Sequence, residues 1–304
     1  MTRAVPALLL TLTLAAPGLS LRTDAGWIEW WRGDRAPARW AAAHPLIERA
    51  VRWRPSAPGV EWGEMTLSGS GEAWRVRVIA VRLDPARIRI ATDVGERADG
   101  RPGPWTLDSA PAGALLALNA GQFTSGGPWG WLVRDGVERQ PPGTGPLAPA
   151  LVVDTTGRVR LVPADGIAGL RAALLAGDRS IREAFQSYPA ILLGDGDIPL
   201  PLREAGRGVD LEHRDARLAL GLDRRGRLLV ALTRFEGLGG ILENLPFGLT
   251  TPEMAAVMGA LGARRAMLLD GGLSSQLRLR EASGETHAWR GMRKVPMGLV
   301  VTPR

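Results

Sequence analysis

Residues 267–275 read MLLDGGLSS, and residues 115–124 read LLALNAGQFT. In each segment a short apolar run, typical of a buried strand, ends at a polar side chain, Asp270 or Asn119, with glycine close behind. A polar group in that place is held rigidly at the rim of a crevice, and the glycines let the backbone turn and expose N–H groups to an anion. Each segment alone is equally typical of an ordinary turn with a local side-chain hydrogen bond. Two of them in one chain, with two serines in the first, favour a site over a pair of turns.

Other short apolar runs are bounded by turn residues, as strands are. They cover residues 75–83, 87–92, 114–118, 150–153, 191–193, 218–222, 228–232, 266–269 and 298–301. The first two runs alternate apolar and polar residues around Asp84-Pro85, which predicts a half-exposed hairpin. The segments 154–157 and 223–226 predict two further hairpin connections.

Helices are fewer. The clearest predicted helix has Thr251 as N-cap, Pro252 at the first helical position and Glu253 in the first turn, and it ends near Gly262. Two more are predicted, one over residues 165–176 and one over residues 180–186. Because strands outnumber helices and do not alternate with them regularly, the predicted fold is α+β, with a mixed β-sheet core, a few packed helices and a single main domain.

The composition limits the function classes. The chain has 304 residues, of which 45% are hydrophobic, enough for a large core. The net charge of +7 suits an anionic partner, but the arginines are spread among acidic residues and form no run, so nucleic-acid binding is not favoured. The absence of cysteine excludes a disulfide framework, a thiolate nucleophile and a lipidated cysteine.

The N-terminal part predicts export and an appendage. Residues 1–20 carry an early arginine, an apolar run and then small residues, which is the layout of a signal peptide cleaved near Ser20, and the apolar run is too short to span a bilayer comfortably. The mature protein is therefore expected in the periplasm or secreted. Residues 21–59 are rich in tryptophan and arginine and are predicted to form a helical appendage and linker. Packing of its indoles on the main domain, residues 60–304, is favoured over stacking on sugars or contact with a membrane interface.

Several polar loops flank the predicted strands. Gln186-Ser-Tyr-Pro189, His213-Arg-Asp-Ala-Arg217 and Arg293-Lys-Val-Pro296 each precede a strand, and arginine suits bidentate phosphate contacts. Gly194-Asp-Gly-Asp197 follows a strand and is either a turn or a divalent-ion site. The three histidines lack metal-ligand spacing, and no G-x-S-x-G elbow supports a serine hydrolase.

Taken in order, these segments resemble the phosphodiester glycosidase family over about residues 60–303. The resemblance rests on Asn119-Ala-Gly-x-Phe123, Gly130-x-Leu-Val-x-Asp-Gly136, Arg217-x-Ala-x-Gly221, Gly248-x-Thr-x-x-Glu-Met-Ala255, Leu269-Asp-Gly-Gly-x-Ser-Ser275 and Val295-Pro296. Two positions depart from the family pattern: Gln122 stands where an aromatic residue is common, and Leu273 where a third glycine is common. These departures bear on the identity of the sugar more than on the reaction.

The resemblance implies a hydrolase that cleaves a sugar 1-phosphodiester at the anomeric carbon and releases free sugar and a phosphate monoester. Asp270 is then the expected base or nucleophile, Asp195 the second carboxylate, and Asn119 positions the substrate. The implied substrate-binding residues are Gly121, Gln122, Gln186, Arg217, Gly271, Gly272, Ser274, Ser275 and Arg293. Glu253 is assigned to the helix start.

Two alternatives stay open at this point. One is a phosphodiesterase that cleaves P–O with a metal held by Asp195, Asp197 and Asp270, and the other is a non-catalytic module that binds anionic glycans of the cell envelope. No cofactor is assigned and no resident metal site is predicted, although a divalent cation is compatible with the first alternative. The expected partners are a sugar phosphate or anionic glycan, such as an exopolysaccharide, with no nucleic acid and no membrane span after cleavage.

Overall fold

The structure of the chain, a computed structural model, describes residues 18–69, 75–95, 103–236 and 245–304. Residues 1–17, which hold most of the predicted signal peptide, lie outside this range. The helices in the described part are α1 Pro45–Ala50, α2 Ala164–Leu175 and α3 Thr251–Ala260. Its strands are β1 Gly18–Thr23, β2 Gly26–Arg32, β3 Arg54–Ala57, β4 Val60–Gly69, β5 Arg75–Leu83, β6 Ile88–Val94, β7 Leu116–Asn119, β8 Gln122–Thr124, β9 Gly127–Trp129, β10 Leu132–Arg134, β11 Val137–Gln140, β12 Ala150–Asp154, β13 Val159–Val162, β14 Ile181–Gln186, β15 Ala190–Leu192, β16 Leu218–Asp223, β17 Leu228–Phe235, β18 Ala263–Leu268, β19 Leu277–Arg280, β20 Thr286–Trp289 and β21 Met297–Pro303.

The strands of the described residues form one large sheet and three smaller ones. The large sheet has nine strands in the order β15-β18-β16-β17-β5-β4-β1-β2, with β3 beside β4. Two five-stranded sheets have the orders β11-β10-β14-β12-β13 and β20-β19-β7-β21-β6, and β8 pairs with β9. The predicted α+β class is confirmed in its broad form, but strands dominate.

The predicted mixed sheet is wrong, because every strand pair among the described residues is antiparallel. Short turns explain much of this, since a tight turn joins only antiparallel neighbours. The predicted hairpin connections at 154–157 and 223–226 are confirmed as the turns between β12 and β13 and between β16 and β17.

The nine-stranded sheet is covered on both faces. In β5, Val78 and Ala80 point to a core shared with α1 and α3, whereas Ile79 and Val81 point to a core shared with the two five-stranded sheets. This follows from the two-residue period of a strand. Helix α2 packs on the outer face of the β10–β14 sheet. Burial on both faces explains why β16 and β17 are almost continuously apolar.

The N-cap of helix α3 lies one residue earlier than predicted. Thr250 and not Thr251 is the N-cap: its hydroxyl accepts the Glu253 N–H at 3.3 Å, while the Glu253 carboxylate accepts the Thr250 N–H at 2.9 Å. A reciprocal capping box requires the acid at the third helical position, and this spacing selects Thr250. The assignment of Glu253 to the helix start is confirmed.

Two local predictions are wrong because of long-range pairing. Residues 181–186 form β14 and no helix, because β10 and β12 pair with them on either side. Strands β5 and β6 form no hairpin: β5 pairs with β4 and β17, while β6 pairs with β21 in a different sheet. The turn at Asp84-Pro85 therefore carries the chain from one sheet to another.

The region predicted as a helical appendage contains more strand than helix. Residues 18–32 form β1 and β2 at the edge of the nine-stranded sheet, and the helical residues are those of α1 and of a 3-10 turn at Gly33–Arg35. Leu19 and Leu21 are completely buried, and Trp31 and Trp40 are nearly so, which confirms packing for these two indoles. A cut near Ser20 would fall inside β1. No helix of the described residues has the length and apolarity needed to cross a bilayer.

Candidate active site

The register between β16 and β18 brings Asp270 and Arg217 to one end of the nine-stranded sheet. These strands are antiparallel, and Ala219 lies opposite Leu268. The start of β16 is therefore beside the end of β18, where the N–H of residue 269 donates to the carbonyl of residue 218 at 2.8 Å. Residues just before β16 and just after β18 consequently share the same rim.

The side chain of Asn119 joins the turn after β7 to the turn after β18 by hydrogen bonds. Its side chain is fully buried. The side-chain amide donates to Asp270 O at 2.8 Å, and Oδ1 accepts the Gln276 N–H at 2.9 Å. In addition, the Asp270 N–H donates to Gly121 O at 3.0 Å. The two sequence segments thus form one unit, in which the Asn119 side chain holds the backbone of Asp270.

A cavity of about 590 Å³ opens at this rim, a volume within the usual range for small-ligand sites. Of the predicted site residues, those that line it are Gln122, Arg217, Asp270 and Gly271. Residues that complete its wall include Trp129, Tyr188, His213 and Asp215. The cavity therefore combines aromatic, cationic and acidic groups.

Asp270 is a partly buried carboxylate in this wall. Burial raises the pKa of Asp270, and the negative charge of Asp215 adds to the rise. A hydrogen bond from Ser274 and the charge of Arg293 lower the pKa in turn. The Gly271 N–H beside it has no acceptor within the described part of the chain. The turn after β18 thus places a carboxylate with a raised pKa beside a backbone N–H that has no acceptor among the described residues.

Asp215 is a second carboxylate in the cavity, which the sequence prediction missed. Its Oδ1 accepts the Ala216 N–H at 2.9 Å. Burial raises the pKa of Asp215, and the positive charge of Arg217 opposes the rise. A Cβ on Gly272 would lie 2.8 Å from Asp215 Oδ2, so this glycine, at φ +58°, allows the carboxylate to approach the loop after Asp270. The cavity therefore holds two carboxylates whose charges interact.

A sequence signal for Asp215 did exist. His213, Asp215 and Arg217 occupy alternate positions just before β16, and alternate residues of an extended segment face the same side. All three line the cavity, and His213 Nε2 lies 3.8 Å from Asp215 Oδ2. The alternation of ionisable residues before a strand that adjoins Asp270 was the available clue.

The two predicted phosphate-binding arginines differ in how they are held. The Arg217 guanidinium donates to Leu249 O at 2.8 Å and to His213 O at 2.6 Å, which fixes it in the wall. Arg293 is exposed, and its guanidinium carbon lies 5.1 Å from the centroid of the Phe123 ring. One cation is anchored in the cavity wall, whereas the other does not line the cavity but lies close enough to Asp270 to lower its pKa.

Other predicted residues lie at or behind the wall. Gln122 Nε2 donates to Tyr188 O at 2.9 Å at the cavity wall. Gln186 is buried, and its Oε1 accepts backbone N–H groups of residues 131 and 143 at 3.0 and 2.8 Å. Ser275 is also buried, with its hydroxyl 3.4 Å from Ala216 O. The structure thus uses Gln186 and Ser275 to support the wall and does not bring them to the cavity.

The predicted second carboxylate, Asp195, lies at the opposite end of the sheet. It follows β15, which is antiparallel to β18, so the turn after β15 lies beside the start of β18 and away from Asp270. Its side chain is 77% exposed and lies 3.4 Å from Arg39, which also lies 3.6 Å from Asp197. The metal set Asp195, Asp197 and Asp270 is therefore not brought together.

A sequence profile of the phosphodiester glycosidase family matches residues 112–302, which is more than half of the chain. The chain therefore belongs to the phosphodiester glycosidase family. The matched region contains both corners and the segment from His213 to Arg217. No curated protein matches the chain.

Two solved structures share the fold. The catalytic domain of a zebrafish N-acetylglucosamine-1-phosphodiester α-N-acetylglucosaminidase, auto-inhibited by its pro-peptide, matches with a TM-score of 0.61 and 16% identity, over 89% of this chain and 96% of that one. A hypothetical protein from Synechocystis matches with a TM-score of 0.52 and 16% identity, over 83% of this chain and 64% of that one. At these identities the likeness establishes the fold.

Proposed function

We propose that the protein is an exported hydrolase that cleaves a sugar 1-phosphodiester at the anomeric carbon. The observation that carries the proposal is the pair of partly buried carboxylates, Asp215 and Asp270, in one cavity that also holds Arg217 and His213. Membership of the phosphodiester glycosidase family supports the reaction class. Glycoside hydrolysis commonly uses two carboxyl groups on either side of the scissile bond.

Asp270 is the proposed base or nucleophile at the anomeric carbon. Its backbone is held by Asn119 and Gly121, so its carboxylate has little freedom to turn away from the ligand. As a base it removes a proton from the attacking water; as a nucleophile it forms a glycosyl ester that water then hydrolyses. Either way the bond between C1 and the phosphate oxygen breaks, and the phosphate monoester leaves with the bonding electrons. Asp215 takes the place that the sequence prediction gave to Asp195.

The leaving phosphate needs positive charge and N–H donors more than it needs a strong acid. Arg217 is anchored by two backbone carbonyls and offers its remaining donors to the cavity. Further proposed phosphate contacts are His213 beside it, the Gly271 N–H, and Arg293, whose charge acts on Asp270. Ser274 acts through its hydrogen bond to Asp270.

The sugar is proposed to lie against the aromatic part of the wall. Trp129 and Tyr188 line the cavity, and aromatic faces suit the apolar face of a pyranose. Gln122, held by Tyr188 O, stands between the aromatic wall and the Asn119 corner. Its amide is a proposed determinant of sugar identity.

Export is proposed from the N-terminal layout of an early arginine followed by an apolar run. Because β1 begins at Gly18 and Leu19 is fully buried, the cleavage point is moved from near Ser20 to a position before Gly18. The whole of β1 then stays in the mature protein.

A panel of sugar 1-phosphate diesters, incubated with purified protein with and without a chelator, tests the proposal. Hydrolysis in oxygen-18 water identifies the bond: label in the sugar is expected, and label in the phosphate would refute cleavage at carbon. The anomer formed first, read by NMR, separates the two roles of Asp270, because a nucleophile retains configuration and a base inverts it.

A further inference from the structure

A second cavity, which we call the basic cleft, lies at the other end of the nine-stranded sheet. It is lined by the turn between β16 and β17, the turn between β12 and β13, and the start of β18. Strand β16 has six residues, so the cleft is separated from Asp215 by the length of that strand, roughly 20 Å. Its volume of about 1060 Å³ is larger than that of the candidate active site.

The wall of the basic cleft carries an excess of positive charge. Seven arginines and three aspartates line it. Each aspartate is already paired with an arginine that does not line the cleft: Asp84 with Arg87 at 3.7 Å, Asp195 with Arg39 at 3.4 Å, and Asp223 with Arg227 at 2.7 Å. Arg160 also interacts with Asp154, and Arg264 with Asp195, at distances too long for ion pairs. Apart from these weaker contacts, the charge of the seven arginines is left uncompensated within the described part of the chain.

Two arginines of the cleft also act on one another. The pKa of Arg264 is lowered by burial, then by the charge of Arg224, which lines the cleft, and by that of Arg39, which does not, while Asp195 opposes the shift. Arg158, Arg160, Arg224 and Arg225 have no ion pair with any described carboxylate. Holding like charges together costs free energy, which a bound polyanion would offset.

We infer that the basic cleft binds an anionic glycan chain, at phosphodiester or carboxylate groups remote from the sugar being cleaved. This inference rests on the proposed function for its choice of a glycan. A concave cleft with several separated guanidinium groups suits a flexible polymer with repeated charges. Among the described residues no aromatic side chain lines it, so they provide none of the stacking platforms of single-strand nucleic-acid sites. None of the large exposed apolar side chains lines it either, which disfavours a membrane interface.

Charge reversal with a matched control tests the inference. The cleft variant is Arg158→Glu, Arg224→Glu and Arg225→Glu, three exposed residues in hairpin turns. The control variant changes net charge equally at exposed arginines outside the cleft: Arg89→Glu, Arg139→Glu and Arg179→Glu. The probe is a mannan that carries sugar 1-phosphodiester groups, measured by equilibrium binding at low and moderate salt beside neutral mannan, double-stranded DNA and phosphatidylglycerol vesicles.

The cleft variant is expected to bind the phosphodiester mannan at least about tenfold more weakly, with the control close to wild type and binding falling as salt rises. Hydrolysis of a small sugar 1-phosphodiester is expected to be unchanged in both variants. Equal binding by wild type and cleft variant would overturn the inference, as would a wild-type preference for DNA or vesicles over the mannan. Absence of small-substrate hydrolysis with mannan binding intact would instead reject the proposed function and leave the cleft as a glycan site.

Discussion

Replacing Asp270 by asparagine removes one charge and keeps the shape of the site. The N–H of residue 270 donates to Gly121 O, and its carbonyl accepts the Asn119 amide; both contacts involve the backbone and persist in the variant. Ser274 can donate to an amide oxygen as it does to a carboxylate oxygen. The variant is therefore expected to fold and to bind the phosphate.

The expected loss in kcat is about two to four orders of magnitude, as is common when a catalytic base or nucleophile is removed. This corresponds to about 3–5 kcal/mol of transition-state stabilisation. KM is expected to change little, because Arg217 and His213 are untouched and serve the phosphate.

The same substitution is expected to leave stability at neutral pH unchanged or higher. Burial raises the pKa of Asp270 in the folded protein above its value in the unfolded chain. Such a carboxyl group stabilises the fold fully below the unfolded pKa, and that contribution is lost as the pH rises through the folded pKa. At neutral pH the ionised Asp270 is therefore unfavourable, and asparagine avoids the cost. The difference in Tm is expected to shrink as the pH falls into the acid range.

The assay combines steady-state kinetics on a sugar 1-phosphodiester with thermal unfolding at several pH values. Asp195→Asn is the matched control, since it makes the same chemical change on an exposed carboxylate at the other end of the sheet. The control should retain the wild-type rate. If Asp270→Asn kept more than about a tenth of the wild-type rate, well short of the loss expected for a base or nucleophile, Asp270 would be a turn residue.

Four further predictions follow from the same geometry. Asp215→Asn is expected to lower kcat by about a hundredfold. It should also move the acid limb of the pH–rate profile to lower pH, because the Asp215 charge raises the pKa of Asp270. An acid limb at the wild-type pH would show that the two carboxylates do not influence each other. Arg217→Ala should raise KM and lower kcat together in steady-state assays, because a phosphate contact serves both ground and transition states; an effect on KM alone would contradict this. Asn119→Ala leaves one buried and one partly buried backbone group without the Asn119 side chain as partner and is expected to cost about 2–4 kcal/mol in urea unfolding. A loss below about 1 kcal/mol, less than one unpaired group should cost, would show that these two hydrogen bonds are dispensable. Intact mass of native material should place the mature N-terminus at or before Gly18, and a start at residue 21 would contradict it.

The sequence predicted what depends on neighbours along the chain. Strand β5 was predicted with its observed bounds, and the turns at 154–157 and 223–226 were recognised from their turn residues. The start of helix α3 was found from its capping residues and proline to within one position. The Asp270 corner was found because an abrupt change from apolar to polar residues marks the end of a buried strand.

What depends on pairing between distant strands was not predictable from one sequence. Residues 181–186 became β14 only because two strands flank them. Asp195 was chosen as the second carboxylate because it also follows a strand, and strand direction then placed it at the far rim. Asp215 precedes its strand, and the segment that contains it was noted only for its arginines. In an antiparallel sheet the start of one strand and the end of its neighbour share a rim, and both must be searched.

The position of the candidate site follows from where two sheets meet. Asn119 ends β7 of one five-stranded sheet, and Asp270, 151 positions further along the chain, follows β18 of the nine-stranded sheet. Their hydrogen bond therefore forms only when both sheets have paired and packed, and the carboxylate is fixed only then. The groups that carry the proposed chemistry are thus held by the same contacts that join the sheets. A substitution such as Asn119→Ala is expected to reduce activity and stability together, whereas Asp270→Asn separates them, and this contrast distinguishes a positioning residue from a catalytic one.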